Sequence, residues 1–373
     1  MTFLAPGYGD RSLADVVPAV GAALGVRLDG VGVSEAMALP EAPAYVVFLV
    51  DGLGSRLLER YAHVAPYLSS LRSAVPQATA GVPSTTATSL TSLGTGLPPG
   101  AHGVVGFTSR VPGTERLLNA LSWPADVDPA EWQPHPTVFS RLRERGVAVS
   151  VVNKRDFATS GLTRAAHRGA EFVGADMVGE RIAAAVAASD HAPALTYLYD
   201  GDLDWTGHRY GVASTEWLQQ LAMIDHEAEQ LREALPPSTR LVVVADHGMV
   251  DSPAGSRVDV DTVHELRDGL VLFGGEARFR QLYCQRGAVD DVVATWRGVL
   301  GDRAEVLTRE DATALGWFGD VSSAVRPRIG DVVVACRGDA AVVSSVDWAY
   351  EARLVGMHGS LTPDEMLIPV LVD

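Results

Sequence analysis

Six hydroxyl side chains lie within eight positions of segment 84–91, and one of them could act as a nucleophile. They are Ser84, Thr85, Thr86, Thr88, Ser89 and Thr91. Serine and threonine hydroxyls are weak nucleophiles until a neighbouring base or a metal ion helps to remove the proton. The alternative is a solvated Ser/Thr turn, so the question is whether the sequence supplies an activating group.

Acidic residues follow three apolar segments that are typical of buried strands. Asp51 follows "VVFLV", Asp246 follows "LVVVA", and the segment after "LTYLY" contains Asp204. Three histidines accompany these acids or lie between glycines: His208, His247 and His358. A single acid after a strand is ordinary turn chemistry. Carboxylates and imidazoles together, however, suit Zn²⁺ or a similar divalent ion, with Mn²⁺ or Fe as alternatives.

Two divalent ions would activate a hydroxyl and attract a phosphate. Their four positive charges would exceed the three carboxylates, which gives a positive cleft in a chain of formal charge −16. Metal ions roughly 3.5–4 Å apart can clamp the attacking and leaving oxygens of an in-line displacement. The pattern therefore predicts a metal-dependent hydrolase of a small phosphate ester.

The composition restricts the function classes. The 373 residues are 47% hydrophobic and 20% charged, as expected of a globular protein with a full core. The acidic balance disfavours a nucleic-acid polymer as partner. No apolar window reaches membrane-spanning length, and the N-terminal segment does not resemble a signal peptide, so we expect a cytoplasmic protein. Cys284 and Cys336 form no CxxC motif, and the oligomeric state is left open.

Elements of two kinds must position these side chains. Apolar segments 44–50, 147–152, 194–199 and 241–245 are typical of buried strands, while 137–146 and 214–235 have helical spacing. Alternating strands and helices predict an α/β fold around a largely parallel sheet. Ligands of such sheets bind outside the carboxyl ends of the strands, where the three acids would meet.

The segment 266–329 has a different pattern. Its short strands and the amphipathic "VDDVVATWRGVLG" predict a small inserted α+β cap. The residues 1–265 and 330–373 are then expected to form the catalytic core, with "IGDVVVAC" among the core strands.

In order along the chain, several motifs resemble those of the alkaline phosphatase superfamily, and within it the type I phosphodiesterase/nucleotide pyrophosphatase family. They are "VDGLG", "PSTTATSLTSLGTGLPPGAHGVVG", "DWTGHRYG", "ADHGM" and "GMHG". They span most of the chain, and their order is more specific than any one of them. The resemblance implies an alkaline-phosphatase-like sandwich of helices around a mostly parallel sheet.

The resemblance also implies two metal sites. One would use Asp51, Asp246, His247 and the nucleophile, and the other Asp204, His208 and His358. The motif places the nucleophile at Thr86, at the start of a helix, with Ser84 and Thr85 as the alternatives. A helix N-terminus offers free amide groups that favour a phosphoryl group.

Four further residues are candidates for substrate contact. Ser89 stands where many family members have an asparagine, and Phe107, Lys154 and Trp205 lie beside the motifs or at a strand end. Asp200 and Asp202 are expected to be solvated turn residues. His102 matches a histidine common in the family, for which we expect a structural role.

The implied reaction is hydrolysis of a phosphodiester or nucleotide through a threonyl-phosphoryl intermediate. A phosphonate hydrolase, a phosphomonoesterase and a phosphomutase of the same superfamily remain alternatives, because the cap carries no readable motif. A sulfatase is disfavoured, since neither cysteine lies in the required C/S-x-P-x-R context. The non-enzymatic alternative is a binding protein stabilised by metal ions.

Overall fold

The computed structural model describes residues 3–30 and 32–373, in which the strands form one seven-stranded sheet and four smaller sheets. The strands are β1 Ala44–Val50, β2 Arg72–Ser73, β3 Thr108–Arg110, β4 Leu117–Asn119, β5 Ala148–Asn153, β6 Glu171–Gly174, β7 Ala194–Asp200, β8 Thr239–Val244, β9 Val250–Asp251, β10 Arg257–Asp259, β11 Leu270–Glu276, β12 Phe279–Cys284, β13 Ala304–Thr308, β14 Val332–Cys336, β15 Ala341–Val343, β16 Gly356–Met357 and β17 Val370–Val372.

Helices connect these strands. They are α1 Val16–Ala23, α2 Ser55–Arg60, α3 Pro66–Ser70, α4 Thr86–Thr95, α5 Pro99–His102, α6 Pro129–Trp132, α7 Val138–Glu144, α8 Gly161–Ala166, α9 Val178–Ser189, α10 Asp202–Tyr210, α11 Thr215–Ala234, α12 Val289–Leu300, α13 Arg309–Ala314 and α14 Pro363–Met366. Among the residues with described structure, none of the helices is both long enough and apolar enough to cross a membrane.

The larger sheet has the order β2-β17-β8-β1-β7-β5-β6. Strands β8, β1, β7, β5 and β6 are parallel, while β17 and β2 form an antiparallel edge. Every residue of β1 is buried, as expected for an apolar strand covered on both faces by helices. The predicted α/β fold is confirmed, and each of the four predicted strands is present with ends shifted by at most two residues.

Helix α11 shows how the helices cover this sheet. Its buried residues include Trp217, Leu221, Ile224, Ala228 and Leu231, whose spacing of three or four places them on one face. They join the large core cluster that also contains the central strands. The long helix predicted over 214–235 is therefore confirmed, and its apolar face fixes it against the core.

A smaller sheet has the order β11-β12-β14-β13, with antiparallel pairing throughout. Helix α12 packs against it through Val292, Val293, Trp296 and Leu300, which belong to a second core cluster. Strand β14 pairs between β12 and β13, not in the larger sheet with which the sequence analysis grouped it. Its apolar residues suit either sheet, so the sequence did not reveal its partner. The division of the chain into core and cap stays a prediction.

Candidate metal and nucleophile site

The site lies at the carboxyl ends of three adjacent parallel strands. Asp51 directly follows β1, and Asp246 follows β8 after one residue. Strand β7 leads into α10, which carries Asp204 and His208 on successive turns. Because β1 lies between β7 and β8, the three acids meet at one edge of the sheet, as the sequence predicts.

Thr86 is the first residue of α4, and its hydroxyl faces this edge. Its Oγ1 lies 3.3 Å from Asp51 Oδ2 and 3.3 Å from His247 Nε2. The alternative nucleophile Ser84 is fully buried and donates its hydroxyl to the Ser360 carbonyl at 2.7 Å. Among the three candidates, Thr86 therefore has the hydroxyl in contact with both an acid and a histidine of the site.

The three histidines share one orientation. Each Nδ1 faces a backbone carbonyl: His208 that of Gly356 at 2.8 Å, His247 that of Gly248 at 3.0 Å, and His358 that of Ser84 at 3.0 Å. A hydrogen on Nδ1 leaves the lone pair on Nε2, which is the usual arrangement of a metal-binding imidazole. The Nε2 atoms point into the site, where those of His208 and His358 lie 3.2 Å apart.

Each acid also contributes a buried oxygen for which the described residues offer no hydrogen-bond partner. These atoms are Asp51 Oδ1, Asp204 Oδ1 and Asp246 Oδ2. Leaving a charged oxygen buried and unpaired costs more than about 1–3 kcal/mol, so three together require a positive partner. Divalent cations meet this requirement, and the donor set of nitrogen and carboxylate oxygen fits them.

The potential ligands form two overlapping groups. In one, atoms of Asp204, His208 and His358 all lie within 4.8 Å of one another, and in the other the same holds for Asp51, Asp204 and His247. Asp204 therefore belongs to both groups, whereas the resemblance implies that it is a ligand only in the site with His208 and His358. Asp246 Oδ2 lies 3.4 Å from His247 Nε2, which keeps it beside the second group.

The pKa values show the same crowding of negative charge. Burial, followed by the charges of Asp246 and Asp204, raises the pKa of Asp51 well above its usual value. Burial would lower the pKa of His208, but the adjacent Asp204 outweighs it and raises that pKa to about 9. Cations bound between these groups would relieve the repulsion between the carboxylates.

Two residues near the ligands were missed by the sequence analysis. Tyr199 near the end of β7 donates its hydroxyl to Asp51 Oδ2. Glu276, the last residue of β11, lies 3.6 Å from His358 Nδ1 through Oε2. Tyr199 could have been proposed from the sequence, because it directly precedes the "DGDLD" segment that contains a candidate ligand. Glu276 could not, because it comes from the four-stranded sheet, away from the motifs.

The cleft around Thr86 has two lobes. The first, which we call the glutamate lobe, has a volume of about 220 Å³ and is lined by Thr85, Thr86, Phe107, Leu121, Asp204, His208, Glu276, Ala277, Tyr350, Glu351, Leu354, Met357 and His358. The second, the histidine lobe, has a volume of about 190 Å³ and is lined by Asp51, Thr86, Leu90, Leu121, Asn153, Phe157, Ser160, Leu162, Thr163, His167, Tyr199 and Asp204. Thr86 lies where the two lobes meet.

The four predicted substrate contacts have different surroundings. Phe107 lines the glutamate lobe, as expected of a contact residue. Lys154 instead pairs with Asp202, with Nζ 2.6 Å from Oδ1. Ser89 is fully buried and donates its hydroxyl to the Asp246 carbonyl at 2.8 Å, so it supports a candidate ligand and does not face the cleft. Trp205 is 56% exposed and lines neither lobe, because one helical step turns it away from Asp204.

The prediction that Asp200 is a solvated turn residue is wrong. It is the last residue of β7, 1% exposed, and its Oδ2 lies 2.6 Å from Arg181 Nη2. Arg181 on α9 also binds Glu227 of α11, which completes a buried triad. Asp202 is half exposed, close to its predicted state. His102 is buried against Ser92, with Oγ 2.9 Å from Nε2, in keeping with the structural role expected of it.

The chain resembles known proteins both in sequence and in fold. The family model described as "Type I phosphodiesterase / nucleotide pyrophosphatase" matches residues 45–361. The human protein "Ectonucleotide pyrophosphatase/phosphodiesterase family member 7" is 39% identical over 72 residues, which are 17% of this chain and 16% of that protein. The chain thus matches about a sixth of the length of this curated relative.

Solved structures of mouse ectonucleotide pyrophosphatase/phosphodiesterase 5 have a similar fold. One matches with a TM-score of 0.69 and 18% identity, over 88% of this chain and 87% of that chain. Another, an inactive threonine-to-alanine variant in complex with AMP, matches with a TM-score of 0.68 and 17% identity over the same shares. At these identities the likeness establishes the fold and not the substrate.

Proposed function

The chain belongs to the type I phosphodiesterase/nucleotide pyrophosphatase family, a family of phosphoric ester hydrolases, and on that premise we propose that it hydrolyses a phosphodiester with Thr86 as nucleophile at a two-metal site. One observation carries the proposal. Three imidazole Nε2 atoms and three unpaired carboxylate oxygens converge beside the Thr86 hydroxyl. A purely structural metal site would close its coordination shell with protein ligands and would not need a hydroxyl at a helix start.

We assign the residues to two ligand sets by their position. Asp51 and His247 contact the Thr86 hydroxyl with Asp246 beside His247, and Asp204, His208 and His358 form the neighbouring set. Divalent ions held there, Zn²⁺ in our proposal, would supply the positive charge that lowers the pKa of a hydroxyl and offsets charge on phosphoryl oxygens. The Nδ1 hydrogen bonds to backbone carbonyls fix the three imidazole rings for this task.

Thr86 would attack phosphorus through Oγ1. A new Oγ1–P bond forms as the Oγ1 proton passes to solvent and the bond from phosphorus to one ester oxygen breaks, and that oxygen is protonated as it leaves. Water then attacks the threonyl-phosphoryl intermediate, the Oγ1–P bond breaks and Oγ1 takes up a proton again. The start of α4 places free backbone amides and the positive end of the helix dipole beside the phosphoryl oxygens. Ser89 holds the backbone of Asp246 and so keeps this ligand in place during both steps.

The two lobes favour a diester over a monoester. A phosphodiester has two substituents on phosphorus, and the cleft offers a lobe on each side of Thr86. A monoester would leave one lobe without a substituent. The AMP complex of the mouse relative supports a nucleotide as one such substituent, which we extend to this chain as part of the proposal.

Replacing Thr86 tests the proposal. We expect Thr86→Ala to lower kcat for bis(4-nitrophenyl) phosphate by at least about 1,000-fold, because the nucleophile is lost. Thr86→Ser keeps a hydroxyl and is the matched control, which should retain measurable turnover. Intact-mass analysis of rapidly quenched wild type should detect the phosphoryl adduct, which Thr86→Ala should lack.

The metal content of Thr86→Ala shows whether the variant has lost only its nucleophile or the metal site as well. Elemental analysis should find about two divalent ions per chain in both wild type and Thr86→Ala. Chelation should abolish turnover, and Zn²⁺ or Mn²⁺ should restore it in wild type alone. Undiminished activity of Thr86→Ala would refute Thr86 as nucleophile. Failure of metal-loaded wild type to hydrolyse diesters, monoesters or phosphonates would favour the binding-protein alternative.

A further inference from the structure

The glutamate lobe differs from the rest of the site in its charge and in its unsatisfied groups. We propose that it binds a primary alkylammonium group, so that one ester substituent of the substrate is a short aminoalkyl chain. This inference rests on the proposed function, since it names the substituent of the phosphoester cleaved at Thr86.

Glu276 carries the argument. The residue is 8% exposed and lines the lobe, and its Oε1 has no hydrogen-bond partner in ranges 3–30 and 32–373. Among the residues that the structure describes, no lysine or arginine lies within ion-pair distance of this carboxylate. Within the described part of the chain, the ion-pair contact of Glu276 is His358 Nδ1 at 3.6 Å, and that nitrogen lies closer to the Ser84 carbonyl, at 3.0 Å.

The nearby Arg280 is engaged through two of its three guanidinium nitrogens, and Nη1 has no hydrogen-bond partner among the described residues. Arg280 is fully buried, pairs with Glu351 and donates from Nε to the Val342 carbonyl at 2.8 Å. Arg280 is thus the direct partner of Glu351, and it acts on Glu276 only from a distance, since no ion pair joins the two among the described residues. Apart from the candidate metal ligands, Glu276 is therefore the acidic residue of the lobe that has no lysine or arginine partner among the residues with described structure.

The other lining residues exclude most substituents. No lysine or arginine lines the described lobe, so a second phosphate or a carboxylate on the substrate would meet no cation of the chain. A neutral alkyl group would suit Leu354 and Met357 but would leave Glu276 Oε1 buried and unpaired, which is unfavourable. A positively charged substituent would need no basic residue in the lobe and would pair with Glu276 Oε1.

The unpaired oxygen further selects the type of cation. A primary ammonium has three N–H donors and can give one to Oε1, whereas a quaternary ammonium has none. Phe107 and Tyr350, with ring centroids 6.4 Å apart, line the same lobe and offer aromatic faces to a cation. The volume of about 220 Å³ accommodates a chain of a few carbon atoms beside the phosphoryl group.

Three 4-nitrophenyl phosphodiesters test the inference on the metal-loaded full chain. Their second substituents are 2-aminoethyl, propyl and 2-(trimethylammonio)ethyl, which compare a primary ammonium with a neutral chain and with a quaternary ammonium. We expect kcat/KM for the aminoethyl ester to exceed that for the propyl ester by about tenfold or more, as for a charged hydrogen bond. It should also exceed that for the trimethylammonio ester.

A variant links this preference to Glu276. Glu276→Gln should bring the aminoethyl-to-propyl ratio of kcat/KM close to one, whereas Glu216→Gln, exposed on α11, should leave the ratio unchanged. As a test without any variant, 2-aminoethyl phosphate should inhibit wild type at a concentration about tenfold lower than propyl phosphate.

The outcomes separate this inference from the proposed function. Turnover of all three esters with equal kcat/KM, or preference for the trimethylammonio ester, would overturn the inference and leave the diesterase intact. An unchanged ratio in folded Glu276→Gln would likewise overturn it. Turnover of none of the esters by metal-loaded protein would refute the proposed function and the inference with it.

Discussion

Arg181 pairs with two buried carboxylates, and replacing it by methionine should strongly destabilise the protein. Arg181 is 2% exposed, and its partners Asp200 and Glu227 are 1% and 3% exposed. Its Nε and Nη2 donate to Glu227 at 2.9 and 2.8 Å, and Nη2 also donates to Asp200 at 2.6 Å. Methionine keeps much of the apolar stem but removes all three hydrogen bonds.

The expected loss follows from the burial of the whole triad. Removing one partner of a buried ion pair typically costs about 3–5 kcal/mol, because it leaves an uncompensated charge. Burial first and foremost raises the pKa of Asp200 to about 6 even with Arg181 present, so its carboxylate is already poorly solvated. We therefore expect Arg181→Met to lower the free energy of unfolding at pH 7.5 by at least about 3 kcal/mol.

Urea unfolding followed by tryptophan fluorescence measures this loss as a lower midpoint. Arg155→Met is the matched control, since Arg155 also pairs with two acids, Asp176 and Glu180, but on the surface. Its midpoint should hardly move, because water screens exposed ion pairs. The deficit of Arg181→Met should shrink towards pH 5 as Asp200 takes up a proton. Equal and small losses in the two variants would refute the argument from burial.

Two further predictions concern the helix of the nucleophile and the histidine lobe. Gly94→Ala should lower the urea unfolding midpoint and impair catalysis, because the added Cβ would lie 1.8 Å from the Ala166 carbonyl oxygen and displace α4. Gly298→Ala on α12, where no atom of the described residues lies within 4 Å of the added Cβ, should instead stabilise by up to about 1 kcal/mol in the same urea assay. Similar effects of the two substitutions would contradict the steric argument. Burial lowers the pKa of His167 to about 4, below the unfolded value of about 6.5. The neutral imidazole therefore contributes its full share of stability above pH 6.5. On acidification from pH 6.5 to pH 4, the free energy of unfolding should fall by up to about 1.4 kcal/mol per pH unit. The pH dependence of unfolding should be shallower in His167→Phe over this range, and parallel profiles would show that His167 is protonated in the folded state.

The sequence predicted most of the larger sheet because its strands are continuous apolar segments. The strand β1 and its neighbours have no alternation of polar residues, which identifies strands buried on both faces. The same property made β14 ambiguous, since an apolar segment does not specify which sheet it joins. Strand pairing is decided by contacts between distant segments, and these are not encoded in local periodicity.

The candidate site was predictable where a residue follows a strand or belongs to a motif. Asp51, Asp204 and Asp246 meet because their strands are adjacent and parallel, which the α/β pattern already implies. Glu276 was not predictable, because it reaches the cleft from another sheet. Asp200 was misjudged for a similar reason, since its partner Arg181, which also pairs with Glu227, comes from a separate element, helix α9.

The contact between Ser84 and His358 has a consequence for the order in which the protein is made. These residues are 274 positions apart in the sequence, and Ser84 also forms a β-bridge with Gly359, the residue after His358. A nascent chain therefore exposes Asp51, Thr86 and the other early side chains long before the last histidine leaves the ribosome. The candidate metal site can therefore be completed only late in biosynthesis. A truncated chain that lacks the segment around His358 would carry the three acids without this histidine ligand.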